Sequence, residues 1–433
     1  MKIVIFTPVN KRSAIGHAAV LMVRELTKRG HEITVVSSET PELLKNPTYD
    51  FGVPIICWDS TGTVEQLLSQ ADLPIYQIGD NYLFHQGCLH WMPRAPGIIC
   101  LHDYFLGNLF QGWALENVQL RDIIVQEWYG TDALEAVKKS RGTKFIQDTY
   151  QLAPMTEWFC SFGLGIMTHS AWDIQRVLKS CAGPVVVAPL CYDSKVKVSQ
   201  QDEMLSEGGQ LVVATIGHIN PNKRVLSVIR ALSQSETLRR NVEYRLIGAI
   251  TPEVEEQISE LANKLQVNVV IEGELGDESF AEALEEVDVF CCLRWPSLEA
   301  GSASVIDTML VAKPALVTNT GCYIDIPDEC VVKVHPDREL EDIQSGLRLL
   351  YHNLALRAKI GNSAREFARQ NHTPEVYIDA MLDLVDKVLA AFPRLVALRA
   401  ITSIANSWGC PADLLSSPEV MEPLCILATK SEN

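Results

Sequence analysis

The sequence predicts an α/β protein made of two doubly wound parallel sheets in tandem. Short apolar runs alternate with stretches that carry apolar residues at helical spacing, the pattern of parallel strands covered on both faces. The alternation breaks once, at the polar stretch 193–209, and then restarts. A chain of 433 residues also exceeds one ordinary core, so two large domains are expected.

The first strand is "KIVIFTP" (2–8), and Ile15, Ala18, Ala19, Met22 and Leu26 then mark a helix over 15–30. "HEITVVSS" (31–38) returns as a strand, followed by "VPIICW", "LPIYQIG", "GIICLHD" (97–103), "LGIMTHS" (164–170) and "PVVVAPL" (184–190). Beyond the polar stretch, read as a linker, come "LVVATIG" (211–217), "YRLIGAI" (244–250), "VNVVIEG" (267–273), "VDVFCCL" (287–293) and "PALVTN" (314–319). Past residue 339 the pattern is helical and ends in "PEVYIDAMLDLVDKVLAAF" (374–392). The tail 393–433 contains one apolar stretch, "LVALRAITSIA", and stays unassigned; packing on a domain, pairing with another copy and touching a membrane are all open for it.

Composition narrows the function. Hydrophobic residues make up 47% and charged residues 21%, which places the chain among globular proteins and not disordered ones. Net charge is −17; residues 1–200 carry 17 Lys and Arg against 19 Asp and Glu, a balance of −2, which leaves −15 for the rest. Phosphate neutralisation along a nucleic acid needs clustered cations, so that partner is disfavoured, as is broad attraction to anionic lipid. No run approaches the roughly 18 apolar residues that span a bilayer, and the N-terminus opens on a strand without a signal-peptide pattern. The expectation is a cytoplasmic protein without a transmembrane segment, local contact with a membrane surface staying open. Twelve cysteines with no C-x-x-C pair fit reduced core residues; Cys291 and Cys292, adjacent on a strand, point to opposite faces and suit no metal.

Four strand ends carry candidates for chemistry. In "PVNKRSAIGH" (8–17), Ser13 and Gly16 allow close approach to a helix N-terminus, where free N–H groups favour anions and hydroxyls; an ordinary strand-to-helix turn would read the same way. His85, in "IGDNYLFHQG", and His102 with Asp103, in "CLHDYFLGN", gather at strand ends along the same sheet edge. In "TIGHINPNKRVLSVIRAL" (215–232), Lys223 and Arg224 open a helix whose dipole opposes them, and a phosphate would resolve that conflict. In "WPSLEAGSASVID" (295–307), Glu299 precedes five small residues whose backbone a ligand can approach.

Together these pieces resemble the retaining glycosyltransferases of family 4, which have the GT-B fold, over roughly residues 1–390. The segments "GHINPNKR", "LRWPSLEAGSASVID" and "VTNTGCYIDIPDECVVKV" carry most of the likeness, and "RSAIGHAA", "YQIGDNYLFH" and "PGIICLHD" look like a bacterial branch. The resemblance implies two Rossmann-like domains facing across a cleft: an acceptor-side domain at 1–200, a donor domain at 201–373, and a final helix at 374–392 bracing the first. It implies transfer of a sugar from a nucleotide-diphosphate donor to a hydroxyl acceptor, with retention and without a metal or other cofactor. The acceptor class stays open between glycan, lipid-linked, protein and small-molecule hydroxyls. By matching position, Gly217, His218, Lys223 and Arg224 would bind donor phosphate, and Gly301, Ser302, Ala303 and Ser304 the sugar and phosphate. Glu299 would contact sugar hydroxyls, and His102 would stand at the reaction centre. Ser13, Gly16, His85 and Asp103 would line the acceptor side. Asp307 stands where the family usually has a glutamate gripping the ribose, and His218 where many members have arginine. Those departures and the unassigned tail encourage one rival, a non-catalytic binding or scaffold relative; a GT-B epimerase or phosphorylase, which would share the fold and a phosphate-binding cleft, is the other.

Overall fold

The computed structural model describes residues 1–193, 209–409 and 417–419. The interior of the expected linker and the end of the tail lie outside the described residues. The chain divides into two compact units. The first holds Met1–His169, Asp173–Ala188 and the chain from Tyr377 onward; the second holds Ser170–Trp172 and Pro189–Val376.

Seven parallel strands form the sheet of the first unit: β1 (Lys2–Thr7), β2 (Glu32–Ser37), β3 (Ile55–Cys57), β4 (Leu73–Ile78), β5 (Ile98–Leu101), β6 (Gly165–Thr168) and β7 (Val185–Val187). Their order is β3-β2-β1-β4-β5-β6-β7. The order reverses between β1 and β4, and crevices for ligands open beyond the carboxyl ends of the strands at such a switch point. Ser13 ends the loop after β1, and His85 lies at a kink in helix Tyr82–Trp91, which follows β4.

The second unit repeats the plan with β8 (Leu211–Ile216), β9 (Val242–Ile247), β10 (Val269–Gly273), β11 (Val289–Cys292), β12 (Ala315–Thr318) and β13 (Val332–Val334). All are parallel, in the order β10-β9-β8-β11-β12-β13. Here the switch point lies between β8 and β11. Strand β13 was not expected: its short apolar run is interrupted by Lys333. The apolar residues on the two faces of this sheet form separate cores, Cys291 in one and Cys292 in the other. Both thiols are buried, and burial pushes Cys292 up to about 11.

The last helix differs from expectation. It runs from Pro374 to Ser407, straight through Pro393, where the sequence pattern was read as ending. Packing keeps it going: Leu395 is buried, and Arg399 donates to the carbonyl of Phe162 at 2.7 Å. Its first half lies on the first sheet, with Ile378, Met381, Leu384, Val385 and Val388 buried; a Cβ on Gly165 of β6 would meet Val388 at 2.6 Å. Run length also understated its apolarity. By length and composition alone, Pro374–Ala405 is long and apolar enough to cross a membrane, and its most apolar stretch is only 17% buried, with Leu389, Phe392, Val396 and Ile404 exposed.

Candidate functional site

The second unit gathers its unusual residues at the carboxyl ends of β8 and β11. Strand β8 leaves through Gly217, whose φ of +83° favours glycine and where a Cβ would stand 2.9 Å from the Lys223 Nζ. Asn220 caps the turn that follows by accepting from the Asn222 amide at 3.0 Å. This folds Lys223 back beneath the strand end, where it is only 5% exposed and donates to the carbonyl of Ile216. Burial, and then the neighbouring Arg294, lower its pKa to about 7, against an opposing pull from Glu299.

Arg294 is the residue that sequence reasoning missed. It stands two positions past β11, 7% exposed, and donates to the carbonyl of Leu293 at 2.9 Å, to Glu299 Oε1 at 3.3 Å and to Ser304 Oγ at 3.3 Å. Burial works against its charge, and Glu299 with its other neighbours more than offsets that. The signal was present as a lone cation directly after an apolar strand, in "LRWPSLE". Asn222 ties the two strand ends together: its carbonyl accepts from the Trp295 amide at 3.0 Å, and its side chain donates to the Pro296 carbonyl.

The small residues then do two things. Ser302 bonds to Ser304 Oγ and accepts from the Tyr323 hydroxyl, both at 3.1 Å, which fixes the entry to helix Ala303–Leu310. Ser302 makes no capping bond with its side chain, and first-turn amides have no acceptor within a helix, so this end suits an anion. Gly301 precedes it, half-buried, and Ala303 opens the helix. Asp307, buried in that helix, accepts from the Tyr192 hydroxyl at 2.7 Å.

Arg224 corrects one expectation. It does not lie in a helical first turn; it sits at φ +59° before helix Val225–Ser233, and its guanidinium grips Glu339 at 2.6 and 2.7 Å. The anion that its position called for is therefore a carboxylate of the protein 115 residues away. Gly217 and His218 are exposed on the same turn. Among the described residues, Lys223, Arg294, Glu299, Ser302 and Ser304 come together, and Arg224 and Asp307 are held by partners of their own.

In the first unit, Ser13 caps helix Ala14–Lys28 by accepting from the Gly16 amide at 3.1 Å, so that amide is already satisfied. Gly16 is there for room, since a Cβ would meet the Pro8 carbonyl oxygen at 2.6 Å. Beyond β4, Gly79 is the meeting point: a Cβ would touch Ile15, reach Asp103 Oδ2 at 3.0 Å and His85 Nε2 at 3.1 Å. His85 Nε2 accepts from the Gly79 amide at 3.1 Å, and burial lowers its pKa to about 3. Asp103 accepts from the Asp80 amide at 2.7 Å. Asp80 in turn caps helix Gly107–Ala114 through Asn108 and Leu109, at 2.8 and 2.9 Å.

His102 belongs to a buried chain. His169 Nδ1 faces the Ala188 carbonyl at 3.1 Å and must donate to it, so His169 Nε2 accepts from His102 Nδ1 at 3.2 Å. His102 Nε2 stands 2.6 Å from Gln77 Oε1; a neutral chain requires the opposite orientation of that amide, with its NH2 donating to the ring nitrogen. Burial, then His169 and His85, hold His102 well below the ordinary histidine range. Both ring nitrogens are thus engaged, which sequence alone did not show. Among the described residues no group of three or more His, Cys, Asp or Glu is placed to hold a metal ion.

Comparison with known proteins fits this picture. Residues 198–367 match the family model "Glycosyl transferases group 1", which takes in Lys223, Arg294 and Glu299. No curated protein sequence matches the chain. Among solved structures, Anabaena HepE in complex with UDP and glucose is similar, at 14% identity, with 89% of this chain and 99% of that chain covered and a TM-score of 0.59. Sucrose-phosphate synthase from Thermosynechococcus elongatus is similar at 12% identity, with coverage of 90% and 100% and a TM-score of 0.62. A glycosyltransferase from Rickettsia africae is similar at 13% identity, with coverage of 90% and 98% and a TM-score of 0.61. At these identities the likeness establishes the fold, which is GT-B.

Proposed function

We propose that the chain is a retaining glycosyltransferase that moves a sugar from a nucleoside-diphosphate donor to a hydroxyl acceptor, without a metal. The observation that carries this is the Lys223–Arg294–Glu299 cluster at the switch point of the second sheet, inside the segment that matches the glycosyltransferase model. Breaking a sugar–phosphate bond leaves negative charge on the diphosphate. Lys223, Arg294 and the first-turn amides of helix Ala303–Leu310 are preorganised to accept it. The similar Anabaena HepE, solved in complex with UDP and with UDP-glucose, supports a nucleotide sugar as donor. Glu299, half-exposed at 37% for its side chain, positions sugar hydroxyls, and the leaving phosphate takes the acceptor proton. His102 and the residues around Gly79 are assigned to the acceptor.

The test is incubation with a panel of nucleotide sugars, following release of free sugar or nucleoside diphosphate and the anomer of the product by NMR. Slow turnover of one donor, lost in Lys223→Met, supports the reading; inversion at the anomeric carbon removes the retaining mechanism. A second reading, a non-catalytic relative that binds nucleotide, has its own support. Arg224, Asp307 and Glu299 are all engaged by protein partners, Glu339, Tyr192 and Arg294. That reading predicts binding with no turnover of any donor.

A further inference from the structure

We propose that the anion centre of the second unit binds a proton together with its ligand: Lys223, beside Arg294, loses its charge in the free protein above neutral pH and becomes an ammonium, taking the proton from solvent, as a diphosphate binds. This rests on reading the centre as a diphosphate site. The geometry of the free centre leaves Lys223 poorly supported as a cation. Its Nζ donates to one neutral group, the Ile216 carbonyl, in a pocket where the residue is only 5% exposed. The groups facing it are a guanidinium, Arg294 from the end of β11; a carboxylate, Glu299 from the loop beyond; and the Cys292 thiol of β11. The carboxylate is bonded to Arg294 at 3.3 Å. On its own turn, Arg224 is committed to Glu339, and His218 points out at the surface.

Two cations side by side away from water oppose each other, and an anion placed between them reverses the sign. The lowering of Lys223 to about 7 agrees with that balance. Diphosphate affinity then falls by up to about tenfold for each pH unit above that value, until the lysine of the complex itself titrates. Departure of the diphosphate returns the proton to solvent, so a rise in pH favours release.

The experiment is calorimetric titration with UDP, ADP and GDP in Tris and in HEPES, whose ionisation enthalpies differ, at pH 8 and pH 7. The proton count expected on binding is about one at pH 8 and about half at pH 7. Lys223→Arg, which stays charged, should bind with no uptake. Arg294→Met removes the like charge, so native-like uptake should need a higher pH. If a nucleoside diphosphate binds native protein with no proton taken up at either pH, the proton proposal is wrong while the diphosphate reading stands. If none of the three binds, both fall together.

Discussion

Replacing Lys223 by methionine should stabilise the free protein, and by more in acid than in base. The folded-state pKa of about 7 lies below the ordinary lysine value of 10.5. Between those two values the unfolded chain holds more of this proton than the folded one, so unfolding free energy rises with pH across that window. Below pH 7 the penalty is fully present. At about 1.4 kcal/mol per unit, it is close to 5 kcal/mol at pH 6 and about 2 kcal/mol at pH 9. Methionine has similar length, and its apolar gain is the same at both pH values, so it cancels in the comparison. The Lys223→Met advantage at pH 6 should therefore exceed that at pH 9 by about 3 kcal/mol. Urea unfolding of native and variant protein at the two pH values, followed by tryptophan fluorescence, measures it. An equal advantage at both would mean that Lys223 titrates normally, and the description of the centre would be wrong.

Other consequences are simpler. Ser13→Ala removes the cap on helix Ala14–Lys28 and should cost about 1 kcal/mol in urea unfolding, with nucleoside diphosphate binding unchanged. Arg357→Met strands Asp288, whose Oδ1 accepts from Arg357 at 2.9 Å, and should cost about 3 kcal/mol; a change under 1 kcal/mol would mark the pair as dispensable. Glu299→Gln keeps the size but weakens the hold on Arg294 and on hydroxyls, so donor turnover should fall at least about tenfold while diphosphate binding persists. Binding lost as completely as in Lys223→Met would assign Glu299 to the phosphate site instead.

Much of the fold was legible because parallel sheets write themselves as apolar runs separated by helical periods. Two places were not. Strand β13 is a short apolar run interrupted by Lys333, and the last helix continues through Pro393 because Leu395 and Arg399 find tertiary partners that no local pattern reveals. At the site, Lys223 and Glu299 could be found from chemistry at strand ends. The commitment of Arg224 to Glu339, 115 residues away, could not. Arg294 fell between: its position after an apolar strand was visible, but its meaning came only when Glu299 and Ser304 were seen bonded to it. The wiring of His102 to His169 depends on contacts 67 residues apart in sequence.

The most direct test of the central claim, that the Lys223–Arg294 centre holds a nucleoside diphosphate, is equilibrium binding. UDP, ADP, GDP and their sugar conjugates would be titrated into native protein, Lys223→Met and Arg294→Met at pH 7. One base should bind the native chain, and each variant should weaken it by at least about tenfold, or 1.4 kcal/mol. Undiminished binding in both variants would place the nucleotide elsewhere and contradict the account.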